Sequence, residues 1–251
     1  MLPPSDKKFL HSLLLTGIES DALEKIWAAF GSYQAAWRAD SGSLQKSRLS
    51  PERIEAISRE RETINPDQEL RKLVSAGISL VAREDSEYPQ ELIHTASPPS
   101  YIYIRGKIEP LKPRLAVVGT RKATPYGREA AKKLVRDLAY ETDLTIVSGL
   151  ALGIDAEAHR AAVDYGLKTI GVLGSGMDRE SFFPQENWQL AEEILKKGGA
   201  IVSEYPPGTP ALKHHFPARN RIIAGLAKGV LVVEAPEKSG ASVLGTERND
   251  T

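Results

Sequence analysis

The stretch RLAVVGTRKATPYGR, Arg114 to Arg128, decides the fold class of this chain. Residues 115–118 are a short apolar run typical of a buried parallel strand, and apolar residues recur at helical spacing after the loop. Strand, loop and helix in this order indicate an α/β sheet, whose ligands bind in loops at the carboxyl ends of the strands. Because Gly119 permits a close backbone approach and Arg121 adds positive charge, we predict a phosphate-binding loop here.

The same strand, loop and helix unit recurs along the rest of the chain. Further strands are predicted at 144–148, 169–173, 200–203 and 230–234. Helices are predicted between them at 126–140, 155–165, 187–197 and 217–227. Alternation of this kind predicts a parallel, doubly wound sheet with right-handed crossovers.

A small helical domain is predicted before the sheet, at residues 1–65, where short amphipathic patterns are separated by Gly17 and Gly31. Such a domain interacts with proteins, binds DNA weakly, or only packs on its neighbour, and the sequence leaves these roles open. The sheet domain is predicted at 66–251, with 66–113 extending the sheet at one edge through short strands at 78–82 and 101–105. The segment DSEYP at 85–89 is interpreted as a structural turn.

The composition excludes several classes of protein. The chain has no cysteine, which excludes disulfides, thiolate zinc sites and cysteine nucleophiles. Lys and Arg total 33, as do Asp and Glu, so any affinity for nucleic acid depends on a local patch. The sequence shows neither a signal peptide nor an apolar run of the roughly 18 residues that span a bilayer, and we expect a cytoplasmic protein without membrane contact.

Three predicted strands end in small or glycine-rich loops, at 119–121, 148–155 and 174–176. Neighbouring strand ends would bring these loops to one edge, where exposed N–H groups and little side-chain bulk suit a phosphate backbone. The dinucleotide pattern G-x-G-x-x-G is missing after the first strand of the sheet, and the pattern G-x-x-x-x-G-K-[ST] is missing throughout. We therefore expect a ligand site that is not a standard nucleotide pocket.

Asp155 and His159 lie four residues apart at a predicted helix start and share one face. They are compatible with an acid/base or metal pair, to which Glu204 would contribute. The competing interpretation makes Asp155 the N-cap of the helix and His159 a hydrogen-bonding partner of the neighbouring loop. Since the sequence shows no nucleophile beside a base and no metal spacing, we expect neither catalysis nor a metal or other cofactor.

The stretch KHHFPARNRIIAG, from Lys213 to Gly225, combines cations with an aromatic residue before an apolar helix. Phe216 beside these cations suits a stacking platform for a nucleic-acid base. Arg219 and Arg221 oppose the helix dipole at its first turn, which indicates an anionic partner. That partner is either a nucleic-acid phosphate or the carboxylates of Glu204 and Asp155, and at least one arginine is expected to be structural.

Five ordered motifs resemble the DprA/Smf family of bacterial DNA-processing proteins of natural transformation. They are VVGTRKATPYG at 117–127, SGLALGIDAEAH at 148–159, GVLGSGMD at 171–178, SEYPPGTP at 203–210 and FPARNRIIAGLAKGVLVVEA at 216–235. The resemblance implies a sterile-alpha-motif-like helical domain, followed by an extended Rossmann-like domain. It also implies sequence-independent binding of single-stranded DNA, homodimerisation through the Rossmann-like domain, and loading of the recombinase RecA, without catalytic activity.

The resemblance also implies which residues bind DNA. Arg121 would hold a phosphate, while Lys213 and Phe216 would supply a cation and a stacking ring. The remaining implied residues form the loop surface or shape the pocket: Gly119, Thr120, Ser148, Gly149, Arg219, Asn220 and Arg221.

Two segments depart from the family pattern. The family continues differently after Ser239-Gly240, so the tail 239–251 indicates a truncated or altered end and leaves the dimer interface open. The segment RESFFP at 179–184 is unlike the tyrosine-containing form of the family.

Two rival functions stay open. One is a nucleotide-processing enzyme of the lysine-decarboxylase-like group, although the PGGxGTxxE motif of that group is absent here. The other is a protein-interaction scaffold.

Overall fold

The structure is a computed structural model that describes residues 2–235, with Pro4 described by its backbone alone. The chain divides into two compact units, Met1–Tyr88 and Pro89–Thr251. In the range 2–235, no helix combines the length and the apolar character needed to cross a membrane. The predictions made for the tail 239–251 lie outside the described residues.

The first unit is mainly helical, as the short amphipathic patterns predict. Its described elements are α1 (Pro4–Leu15), α2 (Ser20–Phe30), α3 (Tyr33–Arg38), α4 (Ser41–Leu44), a 3-10 turn (Gln45–Ser47), α5 (Pro51–Glu60), α6 (Pro66–Ser75) and β1 (Ile78–Ala82). Gly31 ends α2 with a φ of 63°, a left-handed conformation that glycine adopts without a steric penalty. The Ser50 side chain caps α5 by accepting a hydrogen bond from the Arg53 N–H.

Residues 66–88 belong to the helical unit, whereas the sequence grouped them with the sheet domain. Ion pairs explain this difference, because Lys8 of α1 lies 2.7 Å from Asp67 of α6. The Asp85 carboxylate also accepts a hydrogen bond from the Leu2 N–H at 3.1 Å and lies 2.6 Å from the Lys7 ammonium. These partners are distant in sequence and leave no periodic signal. Asp85 is buried in a tight turn, which supports the structural interpretation of this segment.

The second unit is built on a mostly parallel sheet. Its described strands are β2 (Tyr101–Gly106), β3 (Arg114–Val118), β4 (Thr145–Ser148), β5 (Thr169–Leu173), β6 (Ala200–Ser203) and β7 (Gly229–Val232). They are arranged in the order β2-β6-β5-β4-β3-β7. All neighbours pair in parallel except β2, which runs antiparallel to β6 with Tyr103 opposite Ser203. The predicted α/β class and parallel sheet are confirmed, and β2 extends one edge as expected.

Helices cover the sheet between these strands. They are α7 (Pro125–Glu141), α8 (Ile154–Asp164), α9 (Trp188–Lys196) and α10 (His215–Leu226), with short 3-10 helices at Gln90–His94 and Gln185–Asn187. Helices α7 and α8 pack on each other, and Val135 and Ala158 bury their side chains against Val117 and Ile146 of the sheet. This burial fixes the ends of the strands relative to the helix starts that follow them.

The order of the strands creates a switch point beside β3. The chain runs outward from β3 through β4 and β5 to β6, and then returns to place β7 on the other side of β3. In open parallel sheets the crevice at such a point, outside the carboxyl ends of the strands, is where ligands bind. The loop that contains Arg121 follows β3 and therefore lies at this crevice.

Candidate nucleic-acid interface

Arg121 and Phe216 meet at the carboxyl edge of the sheet. Arg121 is exposed in the loop after β3, and Phe216 lies in the first turn of α10. The guanidinium carbon of Arg121 lies 4.8 Å from the centroid of the Phe216 ring, which is cation–π geometry. Lys213, three residues before Phe216, is also exposed. The structure thus combines, on one surface, the cation and the ring that were identified in separate parts of the sequence.

A second aromatic residue, Phe183, adjoins this pair. Its ring centroid lies 5.8 Å from that of Phe216, the two rings are tilted by 59°, and 45% of Phe183 is exposed. Sequence reasoning missed Phe183 as a site residue. The available signal was the segment RESFFP, which places two aromatic residues directly before Pro184.

Three backbone amides of the glycine-rich loops already donate to acceptors of the protein itself, namely those of Thr120, Gly149 and Gly176. The buried Asp155 carboxylate accepts a hydrogen bond from the Gly149 N–H at 3.1 Å. Burial raises the pKa of Asp155, while Arg219 and the Gly149 amide act in the opposite direction. The Gly149 N–H is therefore not exposed to a ligand, because an internal carboxylate already accepts its hydrogen bond.

A second carboxylate occupies the start of α7. Glu234 lies just after β7, and its Oε2 accepts hydrogen bonds from the backbone N–H of Thr124 at 3.0 Å and from the Thr124 hydroxyl at 3.3 Å. Its carbonyl oxygen accepts the Thr120 N–H at 2.6 Å. A helix start favours an anion, and here the anion comes from the chain itself. The first interpretation of this loop, a phosphate cradle at the helix start, is corrected accordingly.

Ser148 and Gly149 lie beneath the surface and do not form part of it. Both are buried, and the Ser148 hydroxyl donates to the Val117 carbonyl at 2.6 Å. A Cβ added to Gly149 would lie 2.2 Å from Nη1 of Arg219, so glycine is required for close packing at this position. Gly119 and Thr120 are half-buried, which leaves Arg121 as the exposed residue among Gly119, Thr120 and Arg121.

Arg219 is a buried support of the site. Its Nη1 donates to the carbonyl oxygens of Gly149, at 2.7 Å, and of Val172. Burial lowers the pKa of Arg219 to about 10, and the nearby Asp155 carboxylate opposes that shift, so the guanidinium stays charged at neutral pH. Arg219 therefore stabilises the loop after β4. Because only 4% of the residue is exposed, its guanidinium does not reach the surface.

Arg221 is paired with a carboxylate of the protein. Its Nη2 lies 2.7 Å from both carboxylate oxygens of Glu204, and its Nε donates to the Ser97 carbonyl at 2.8 Å. Asn220 is partly buried between the two arginines. The interpretation that Glu204 and Asp155 compensate the helix-start arginines is supported, and both arginines have structural roles.

Asp155 and His159 do not form an acid/base pair with each other. Gly153 is the N-cap residue of α8 and Asp155 lies in its first turn, so the prediction of Asp155 as N-cap is wrong. His159 is fully buried, with its Nδ1 2.7 Å from the Thr169 hydroxyl. Burial lowers the pKa of His159 to about 3, which keeps the ring neutral. Across residues 2–235, no group of three His, Asp or Glu side chains is placed to hold a metal ion.

Comparison with known proteins identifies the family of this chain. The sequence model of the family described as DNA recombination-mediator protein A matches residues 79–246. The chain belongs to this family. Among curated members of the recombination-mediator family, protein Smf of Synechocystis is 37% identical over 240 residues, which cover 93% of this chain and 59% of the relative. The DNA processing protein DprA of Streptococcus pneumoniae is 44% identical over 160 residues, which cover 63% of this chain and 55% of that protein.

Solved structures of recombination-mediator proteins share the fold. The X-ray structure of DprA from S. pneumoniae matches with a TM-score of 0.74 and 32% identity, covering 94% of this chain and 81% of that one. DNA processing protein A from Helicobacter pylori, studied for its unique single-stranded DNA binding mode, matches with a TM-score of 0.58 and 31% identity. That match covers 66% of this chain and 75% of the H. pylori chain.

Proposed function

We propose that this chain binds single-stranded DNA as a recombination mediator, with the surface around Arg121, Lys213 and Phe216 as the contact site. The observation that carries the proposal is the cation–π pair of Arg121 and Phe216 at the switch point of the sheet. Single-strand binders combine cations, which follow the phosphates, with aromatic rings on which bases stack. Such a surface recognises features that every sequence shares, so binding without sequence preference follows.

The loop amides that already have partners favour DNA binding over nucleotide processing. A small nucleotide in an α/β sheet is held by free amides at a helix start, but here Asp155 and Glu234 bind the amides of Gly149 and Thr124. An exposed cation and ring do not depend on those amides. We therefore propose a binding function without catalysis or a bound cofactor.

The proposal also covers two protein partners, the recombinase RecA and a second copy of this chain. The chain spans 59% of the Synechocystis relative and 55% of the S. pneumoniae relative, so it represents part of the length of those proteins. We propose that it loads RecA during transformation or recombination in the cytoplasm and that it dimerises through the second unit. Family membership supports this part of the proposal.

The test is a titration of labelled oligothymidine and of the matching duplex across a salt series. With about three phosphates contacted, log K plotted against log salt should slope near −2 for the single strand. Arg121→Ala and Lys213→Ala should each flatten that slope by about 0.7. Lys196→Ala, which removes an exposed cation at the end of α9, is the matched control and should change nothing.

Two outcomes would contradict the proposal. Equal affinity for the duplex would show that the site does not select unstacked bases. Unchanged slopes in both the Arg121 and the Lys213 variants would place the phosphate contacts elsewhere. RecA loading is checked separately, by following RecA filament growth on oligothymidine coated with single-strand-binding protein.

A further inference from the structure

We propose that Phe183 is a second base-stacking position and that the pocket beside it holds the next nucleobase of the strand. The proposal rests on the single-stranded DNA function above and extends that site beyond Phe216. The 5.8 Å separation of the two ring centroids makes the aromatic surface continuous, and 45% of Phe183 is exposed although it is a large apolar residue. Exposed aromatic rings beside a cationic site are typical of single-strand binding surfaces.

A pocket adjoins Phe183 on this surface. It has a volume of about 380 Å³ and is lined by Glu180, Ser181, Phe183, Gln185, Pro210 and Ala211 among others. The Phe183 ring, Pro210 and Ala211 are apolar walls for the flat faces of a base. The Gln185 amide is bound to Arg179 and Phe182, and the Ser181 hydroxyl donates to Asp178, so stacking on these walls is the main contact for a base.

The two walls of the pocket are tied together by Asp178. Its carboxylate accepts the Gly208 N–H at 2.6 Å from one wall and the Ser181 N–H at 3.2 Å from the other. Phe182 also lines the pocket, and its buried ring lies 5.2 Å from the Trp188 ring in an edge-to-face contact. These contacts fix the pocket before any ligand arrives, which reduces the entropy lost on binding.

Charge determines which part of the DNA strand enters the pocket. The described residues that line the pocket include the Glu180 carboxylate and no Lys or Arg. The Glu180 carboxylate disfavours a phosphate inside the pocket, and the Arg179 guanidinium beside it is engaged by Gln185. Arg121 and Lys213 carry exposed positive charge near Phe216. The backbone of the strand therefore follows the cations, and its uncharged bases point toward Phe216, Phe183 and the pocket.

The experiment combines affinity with photocrosslinking. Phe183→Ala, Phe183→Trp and the control Tyr140→Ala are titrated with oligothymidine, and each is irradiated with an oligonucleotide that carries 5-iodouracil. Tyr140 is an exposed aromatic residue on α7 outside this surface. Mass spectrometry then identifies the crosslinked residues. Phe183→Ala should weaken binding about 5- to 150-fold without changing the salt slope, because a base contact is lost and the phosphate contacts stay.

The wild-type protein should crosslink at both Phe216 and Phe183, and Phe183→Ala should keep the crosslink at Phe216. Phe183→Trp should retain the affinity and Tyr140→Ala should match the wild type. Affinity of Phe183→Ala within twofold of the wild type, with a crosslink at Phe216 alone, would overturn the second stacking position. Absence of single-strand binding by the wild type would instead overturn the proposed function itself, so the two failures are distinguishable. Thermal unfolding of each variant checks that the pocket walls stay folded.

Discussion

The guanidinium of Arg121 lies 4.8 Å from the ring centroid of Phe216, across the crevice that the strand order opens beside β3. The ring holds the cation at one place on the surface, while the charge of the cation stays accessible on an exposed side chain. Under the proposed function, we therefore expect the phosphate and base contacts to come from a coupled pair and not from two independent residues.

This coupling predicts a non-additive mutant cycle. Arg121→Ala and Phe216→Ala should each weaken oligothymidine binding, and the double variant should lose about 0.5–1 kcal/mol less than the sum of the single losses. The Arg121→Ala and Tyr140→Ala pair, whose members lie in separate parts of the second unit, should be additive. Additivity in the Arg121 and Phe216 cycle would show that the ring does not position the cation.

Arg221 should contribute to stability and not to phosphate binding. Arg221→Met leaves the nearly buried Glu204 carboxylate without its partner at 2.7 Å, and we expect the free energy of unfolding to fall by about 1–3 kcal/mol. The double variant Arg221→Met, Glu204→Gln should recover much of this loss, because the side chain at position 204 is then neutral and its burial costs less. Urea denaturation measures both effects. A flatter salt slope for Arg221→Met at full stability would instead assign this arginine to the DNA.

Glu234 should stabilise the start of α7. Glu234→Ala removes the carboxylate that accepts from the Thr124 N–H, and we expect a loss of about 0.5–2 kcal/mol in the free energy of unfolding. The affinity for single-stranded DNA should not fall, because the substitution removes a negative charge beside the loop that contains Arg121. The control Glu129→Ala removes an exposed carboxylate from the same helix and should be close to neutral. Unchanged stability of Glu234→Ala would contradict the role of this carboxylate at the helix start.

Burial of His159 predicts loss of stability in acid. The pKa of His159 is lowered from 6.5 to about 3, so below pH 6.5 the unfolded chain binds a proton that the folded chain does not. The stability that the neutral ring contributes at pH 7 is lost as the pH falls through 6.5 toward 3. At pH 5 this amounts to about 2 kcal/mol. Between pH 7 and pH 5, the free energy of unfolding of His159→Gln should therefore fall by about 2 kcal/mol less than that of the wild type, as measured by urea denaturation. An equal fall in both proteins would show that His159 is not the group that titrates.

The sequence predicted the strands and helices of the second unit well because each is a local pattern. The run 115–118 and its counterparts are continuous apolar segments, and the helices that follow repeat at 3.6 residues. The joint assignment of Arg121 and Phe216 to one site rests on the resemblance to the DprA/Smf family, and the structure brings the two side chains within 4.8 Å of each other.

The sequence did not reveal how the loop amides are used, because that depends on contacts between distant segments. Glu234 contacts Thr124 although 110 residues separate the two in sequence, and the buried Asp155 carboxylate accepts the Gly149 N–H of the loop after β4. The ion pairs of Lys7 and Lys8 with Asp85 and Asp67 likewise join segments that are distant in sequence. Phe183 was overlooked because an aromatic residue before a proline has no periodic signal of exposure.

The carboxylate of Asp155 also determines how the free protein meets its ligand. By accepting the Gly149 N–H it holds the backbone of the loop after β4, while the Thr120 N–H of the loop after β3 donates to the Glu234 carbonyl, so both loops are held before any ligand binds. The protein side of the encounter is then rigid, and the flexible strand is the partner that loses conformational freedom on binding. Backbone amide exchange in the loops after β3 and β4 should accordingly be slow in the free protein and change little when oligothymidine is added.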